Sequence, residues 1–106
     1  MGKDTGPPKR YMQIKEKYPE VIGAYEKLGD AIKNAGPLDE KTISLIKIGI
    51  AIGTGSEGSL HSSVRKALGH GATADEIRHA IFLSTTQVGF AKMMAALSWA
   101  DDILES

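Results

Sequence analysis

Apolar residues recur every three or four positions along most of the chain, which is the spacing of amphipathic helices. The first clear stripe follows Pro19, a residue that suits the first position of a helix. The stripe consists of Val21, Ile22, Tyr25, Leu28 and Ile32. A shorter helix is predicted before it, over 9–18, and the pair Gly36-Pro37 is expected to end the second helix.

The third segment, from Glu40 to Gly53, fits two structures. Between 46 and 53, isoleucines alternate with lysine, glycine or alanine, which is the period of a strand. A fully buried helix is also consistent with this sequence, because its glycine and alanine would let neighbouring helices pack closely. Asp39 suits an N-cap, but periodicity alone favours the strand. Lys47 is the one charge in the apolar run; in a buried helix it would need a partner, which makes it a pocket candidate.

Capping signals mark the helices of the C-terminal half. Thr54 and Glu57 have the spacing of a capping box, which predicts a helix that runs to Leu68. The run Gly69-His70-Gly71 is a helix stop. Thr73–Glu76 is a second capping box, and a last amphipathic helix is predicted over 90–104.

Composition limits the size and the partners of the protein. The 106 residues provide for one domain, which we place at 9–106 behind a loose N-terminal arm at 1–8. Lys and Arg number 13, as do Asp and Glu, so no charge excess points to nucleic acid or a membrane surface. The longest apolar run is shorter than the roughly 20 residues that span a bilayer. With no secretory signal visible, we expect a cytoplasmic protein.

The stretch Gly53–Gly58 satisfies G-x-G-x-x-G, the pattern of a dinucleotide-binding turn. The fingerprint also needs a second parallel strand that ends in an acidic residue, and no such strand is predicted. We therefore expect no nucleotide cofactor. The three histidines of the chain show no His-x-x-x-His or carboxylate pairing, so we expect no metal site either.

Three serines, Ser56, Ser59 and Ser63, would form one stripe if they lay on a single helix. A serine nucleophile needs a base within hydrogen-bond distance, and the nearby His61 projects away from the stripe. Capping and small-residue packing are therefore the simplest interpretation of the serines.

The segment from Leu38 to Leu104 resembles the carboxymuconolactone decarboxylase and alkylhydroperoxidase-D-like superfamily. The run HSSVRKALGHGATADEI carries most of the likeness, since it is similar to the family's helix, glycine break and Gly-Ala-Thr-x-x-Glu-Ile start. The resemblance implies an all-α fold of about six helices, in which the third segment is a helix and not a strand. It also implies a homotrimer or homohexamer in which that apolar helix is buried deep.

The redox branch of the family uses a Cys-x-x-Cys pair, a histidine and a glutamate. By position, the resemblance places the two cysteines at Ser56 and Ser59, the histidine at Ser63 and the glutamate at Ser44. The chain has no cysteine, and serine forms neither a sulfenic acid nor a disulfide. The peroxidase activity of the family is therefore not expected.

The decarboxylase branch is similar in carrying a His-x-His-Val-Arg segment on this helix. His61 matches the first histidine and Arg65 the arginine, while Ser63 replaces the second histidine. The resemblance implies a lyase-like site for a small carboxylic acid or lactone, in which Arg65 holds a carboxylate, His61 moves a proton and the serines line the pocket. Two alternatives stay open. The protein is a non-catalytic oligomeric binding or assembly module, or His61 and Arg65 lie on a solvated or subunit-contact face.

Overall fold

The computed structural model of the chain describes residues 8–106, so all but the last residue of the predicted arm at 1–8 falls outside it. The described residues form two compact units, 8–39 and 40–106. The single domain placed at 9–106 remains a prediction. All elements from Lys9 onwards are helices, which confirms the all-α fold, and among them none is both long and apolar enough to cross a bilayer.

The unit 8–39 consists of α1, Lys9–Lys17, and α2, Pro19–Lys33. Pro19 is the first residue of α2, as predicted. The Tyr11 hydroxyl donates to Glu26 Oε2 at 2.7 Å, and Lys15 Nζ donates to the same oxygen at 3.1 Å. These contacts join the two helices. The hydrogen bond to Glu26 raises the pKa of Tyr11 to about 12, and the bonds from Tyr11 and Lys15 lower the pKa of Glu26.

The apolar side of α2 is open to solvent. Four residues of the predicted stripe each expose more than half of their surface, and we call this set the α2 stripe: Val21, Tyr25, Leu28 and Ile32. Neither α1 nor α2 contains a buried residue. Periodicity located the helix correctly, but the face it defines is not a core face within the described chain.

The unit 40–106 contains the hydrophobic core. Its elements are α3 (Glu40–Thr54), α4 (Glu57–Gly69), α5 (Ala74–Leu83), the single turn α6 (Thr85–Val88) and α7 (Phe90–Leu104). Helix α3 packs against α4 and α5, and α7 packs against α4 and α5. The largest fully buried side chains are Ile48, Ile52, Leu60, Val64, Ile77 and Ile81. Each contributes roughly 1.5–3 kcal/mol by leaving water.

Helix α3 corrects the strand favoured by alternation and confirms the helix implied by the family resemblance. Its buried face follows the helical period through Ser44, Ile48 and Ile52. Ile46 and Ile50 stay exposed by 47% and 60%, so the other isoleucines of the alternating run lie outside the core. Among residues 8–106, α3 buries one face only. Lys47 is exposed, and the burial that made it a pocket candidate is not observed.

The start of α4 lies two residues later than the capping pattern predicted. Ser56 is the N-cap, while the Thr54 hydroxyl donates to Ala51 O at 2.8 Å in the last turn of α3. The predicted box of Thr54 and Glu57 is therefore wrong. A threonine hydroxyl can bond within the preceding turn, and the sequence pattern does not show which bond forms.

The later boundaries follow the prediction. Thr73 and Glu76 form a capping box with both reciprocal hydrogen bonds. Gly71 and Gly89 have φ of +90° and +99°, a region that side chains avoid, and each separates two helices. The last helix covers 90–104 as predicted. The short α6 within the predicted fifth helix was not expected.

Candidate functional site

The half-buried His61 lies on α4 between two carboxylates. Its Nε2 is 3.1 Å from Asp102 Oδ2, which comes from α7, and 3.9 Å from Glu57 Oε2, one turn earlier on α4. The packing of α4 against α7 brings Asp102 to this place. A carboxylate in this position can accept a hydrogen bond from the imidazole and orient the ring.

Arg65 follows His61 by four residues on α4, so the two side chains share one side of the helix. Arg65 is half-buried. No ion pair or hydrogen bond among the residues from 8 to 106 involves its side chain. Its guanidinium therefore presents donors in the planar fork that binds a carboxylate.

The serine stripe is not part of this arrangement. Ser56 precedes the helix, and its hydroxyl accepts the Ser59 N–H at 3.1 Å, which confirms the capping interpretation. Ser59 and Ser63 each lie two residues from His61, which places them about 200° around the helix. The structure therefore brings His61 and Arg65 together but separates them from the serines that were expected to line the same pocket.

Ser44, which the resemblance places at the glutamate position of the redox branch, is buried in α3. It is 4% exposed, and its hydroxyl donates to Glu40 O at 2.9 Å. The same oxygen is 2.8 Å from His70 Nδ1. Because the hydroxyl proton points to the carbonyl, Nδ1 must donate to the serine, which fixes the tautomer by inference. His70 Nε2 in turn lies 3.7 Å from the Glu40 carboxylate.

This group resembles a Ser-His-Glu triad in composition only. Its serine oxygen is buried and already bonded to its own helix, so it cannot attack a substrate. Its effect is to join α3 to the turn after α4, where His70 caps the helix as predicted.

An open groove of about 420 Å³ lies between α3 and α5. Leu45, Ile46 and Leu83 line its apolar part, and Glu76 and His79 supply polar groups. The bonds from Lys41 Nζ, at 2.8 Å, and from the Thr73 N–H lower the pKa of Glu76. Neither Lys47, His61 nor Arg65 lines this groove, so it is separate from the predicted site.

Sequence reasoning missed the two carboxylates at His61. Asp102 is 41 residues away in the chain, and a helix-end Asp-Asp pair is typical of solvated surface. The i, i+4 spacing of Glu57 and His61 was the available signal. One ligand atom from each of Glu57, His61 and Asp102 lies within 4.8 Å of the others. The expectation of no metal site did not consider this group.

Comparisons with known proteins agree with the fold. The model of the carboxymuconolactone decarboxylase family matches residues 19–102. An uncharacterized protein of Methanocaldococcus jannaschii is 32% identical over 88 residues, which cover 79% of this chain and 85% of that protein. No solved structure matches the chain significantly.

Proposed function

The chain belongs to the carboxymuconolactone decarboxylase family, and we propose that it binds or transforms a small carboxylic acid or lactone at the side of α4 that carries His61 and Arg65. The observation that carries the proposal is the half-buried residue Arg65, whose guanidinium has no partner in the described chain and which lies one helical turn from His61. A guanidinium in this state favours a carboxylate ligand.

The side chains at this side of α4 would take separate roles in a decarboxylation. Arg65 binds a carboxylate of the substrate or its lactone carbonyl, and negative charge develops on the carbonyl oxygen as CO₂ leaves. As the C–C bond to the departing CO₂ breaks, its electron pair stays on the substrate, and the imidazolium of His61 gives a proton to that carbon. Asp102, 3.1 Å from His61 Nε2, holds the imidazole in position for the transfer.

Ser63 stands where the resemblance implies the second histidine, and it lies across α4 from His61. A histidine at 63 would also face away from His61, so we assign the proton transfer on this side to His61, which is recharged with a proton from water. The family's thiol peroxidase chemistry is not proposed, because the chain contains no cysteine.

We also propose that the protein works as a homo-oligomer, a trimer or a hexamer. The α2 stripe supports this, because large apolar surfaces that stay open on a monomer typically mark contact sites. Ile46 and Leu83, which border the groove between α3 and α5, are exposed by 47% and 65% and add a second apolar surface.

Turnover measurements test the enzymatic form of the proposal. Purified protein is assayed for CO₂ release and product formation from a panel of small carboxylated lactones. We expect turnover that falls on the order of a hundredfold or more in His61→Ala and Asp102→Asn, as for loss of general acid catalysis. The matched control is His79→Ala, an exposed histidine on α5. Binding of the same acids without turnover would favour the non-catalytic module, and turnover that persists in His61→Ala would overturn the assignment.

A further inference from the structure

We propose that Glu57, His61 and Asp102 form a binding site for one divalent transition-metal ion, with Zn²⁺ as the best match. The three residues each present one ligand atom, and the three atoms lie within 4.8 Å of one another. The inference goes beyond the proposed function and does not rest on it.

The spacing of the donor atoms suits a metal ion. Zinc bonds to nitrogen and oxygen of about 2.0–2.2 Å place tetrahedral ligand atoms roughly 3.3–3.6 Å apart. Nε2 of His61 lies 3.1 Å from the Asp102 oxygen and 3.9 Å from the Glu57 oxygen, so small side-chain rotations reach this geometry. Two ligands come from successive turns of α4 and the third from α7, so the two packed helices hold the set.

The charges around the site also favour a cation. Neither Glu57 nor Asp102 has a lysine or arginine within ion-pair distance in the described part of the chain. The neighbouring Asp101 differs, because Arg78 binds it at 3.0 Å and also lies 3.5 Å from Glu105. Arg78 therefore pairs with the other carboxylates at this end of α7. Two carboxylates remain, directed at one imidazole, and a divalent ion balances their charge.

The donor set decides which ions compete. Mg²⁺ and Ca²⁺ prefer oxygen ligands alone, whereas an imidazole nitrogen selects zinc and related transition metals. Both carboxylates are more than half exposed, so the remaining coordination positions are open to water or to a small anion. An ion on Nε2 of His61 excludes a proton from the same lone pair, so metal and proton compete for this residue.

Metal titration of the full chain tests the site without any organic ligand. Protein without an affinity tag is stripped with a chelator and titrated with ZnCl₂ in a calorimeter, and Co²⁺ is titrated in parallel with visible absorption as the readout. We expect one ion per chain, with Co²⁺ spectra that Zn²⁺ reverses. Absence of binding by the wild-type chain would overturn the proposal.

Three substitutions locate the ion. Glu57→Gln, Asp102→Asn and His61→Ala are each expected to weaken Zn²⁺ binding on the order of tenfold or more, because loss of even a supporting partner costs 10–100-fold. Circular dichroism checks that each variant stays folded. The controls are Asp75→Asn and His79→Ala, an exposed carboxylate and an exposed histidine on α5, which should bind as tightly as wild type. Binding that survives all three site substitutions, or that falls equally in the controls, would contradict the assignment.

Because no substrate is present, failure here leaves the turnover test of the proposed function unaffected. Conversely, if no lactone is turned over, the metal site is still supported when Zn²⁺ binding is weakened in the three site variants.

Discussion

Ser44 is a small buried residue at the position that the resemblance assigns to the glutamate of the redox branch. It is 4% exposed. Its hydroxyl donates to the Glu40 carbonyl and accepts from the His70 imidazole. A buried carboxylate would lose its hydration there, whereas a hydroxyl has its donor and an acceptor position satisfied. A serine therefore suits this buried position, where its hydrogen bonds support the fold.

Ser44→Ala should lower the free energy of unfolding by about 1 kcal/mol, because it removes the hydrogen bond between α3 and His70. Urea denaturation of the purified chain measures the change. Ser98→Ala, at an exposed position of α7, is the control and should leave stability within about 0.5 kcal/mol. Equal stability of the two variants would show that the Ser44–His70 contact contributes nothing.

The Tyr11 hydroxyl should ionise at an unusually high pH. Its hydrogen bond to Glu26, more than any other cause, raises its pKa to about 12, because ionisation would break the bond and place two negative charges together. Ultraviolet titration of the chain should show a tyrosinate step near pH 12, provided that circular dichroism confirms folding at each pH. Tyr11→Phe should remove this step, Glu26→Gln should move it to lower pH, and the control Tyr18→Phe should leave it in place. A late step that persists in Tyr11→Phe would refute the contact.

At the scale of elements, the sequence predicted most helices but not all of their faces. The starts of α2 and α7, at Pro19 and after Gly89, were predictable because proline and glycine act on the local backbone alone. The alternation in α3 was misleading because both possible periods place isoleucine inside, and only the packing against α4 and α5 selects one face. The start of α4 was predicted wrongly because either Thr54 or Ser56 could serve as its N-cap. In the structure Ser56 caps α4, and the Thr54 hydroxyl bonds back to Ala51 in α3.

The capping box of α5 should be a measurable source of stability. Thr73→Ala removes the hydroxyl that accepts the Glu76 N–H at 3.1 Å and should cost about 1 kcal/mol in urea denaturation. Thr86→Ala, in α6 and exposed, is the control and should change little. A loss of the same size in both variants would indicate a general effect of threonine and not of the cap.

The acidic half of the same box should make stability depend on pH. Bonds from Lys41 and from the Thr73 N–H lower the pKa of Glu76 below its ordinary 4.5. Its contribution is therefore complete above about pH 4.5 and is lost as the pH falls through the lower, folded value. In urea denaturation across this range, Glu76→Gln should lose stability less steeply than wild type, and parallel curves would contradict this.

At the scale of the whole molecule, the site depends on contacts that no local pattern encodes. His61 and Arg65 could be selected from one helix, because their spacing is visible in the sequence. Asp102 could not, because only the packing of α7 on α4 brings it to His61. The α2 stripe shows the converse case, since its period predicts a buried face that the described single chain leaves exposed.

Self-association should depend on the α2 stripe. Leu28→Glu introduces a charge into this surface and should shift the mass measured by light scattering from an oligomer to a smaller species, because burying an unpaired charge is costly. Lys27→Glu changes an exposed residue beside the stripe and should leave the oligomer intact. A wild-type monomer, or an oligomer that Leu28→Glu does not affect, would show that another surface or no surface mediates assembly.

The central claim, a carboxylate site at Arg65 and His61, is tested most directly by ligand-induced stabilisation of the wild-type chain. A panel of small carboxylic acids and lactones is screened by thermal denaturation, in which a ligand at about a hundred times its dissociation constant stabilises the fold by about 2.7 kcal/mol. We predict stabilisation by carboxylates that is lost in Arg65→Ala and retained in Lys66→Ala, which removes the adjacent exposed cation. Stabilisation that is equal in both variants, or absent across the panel, would contradict the account.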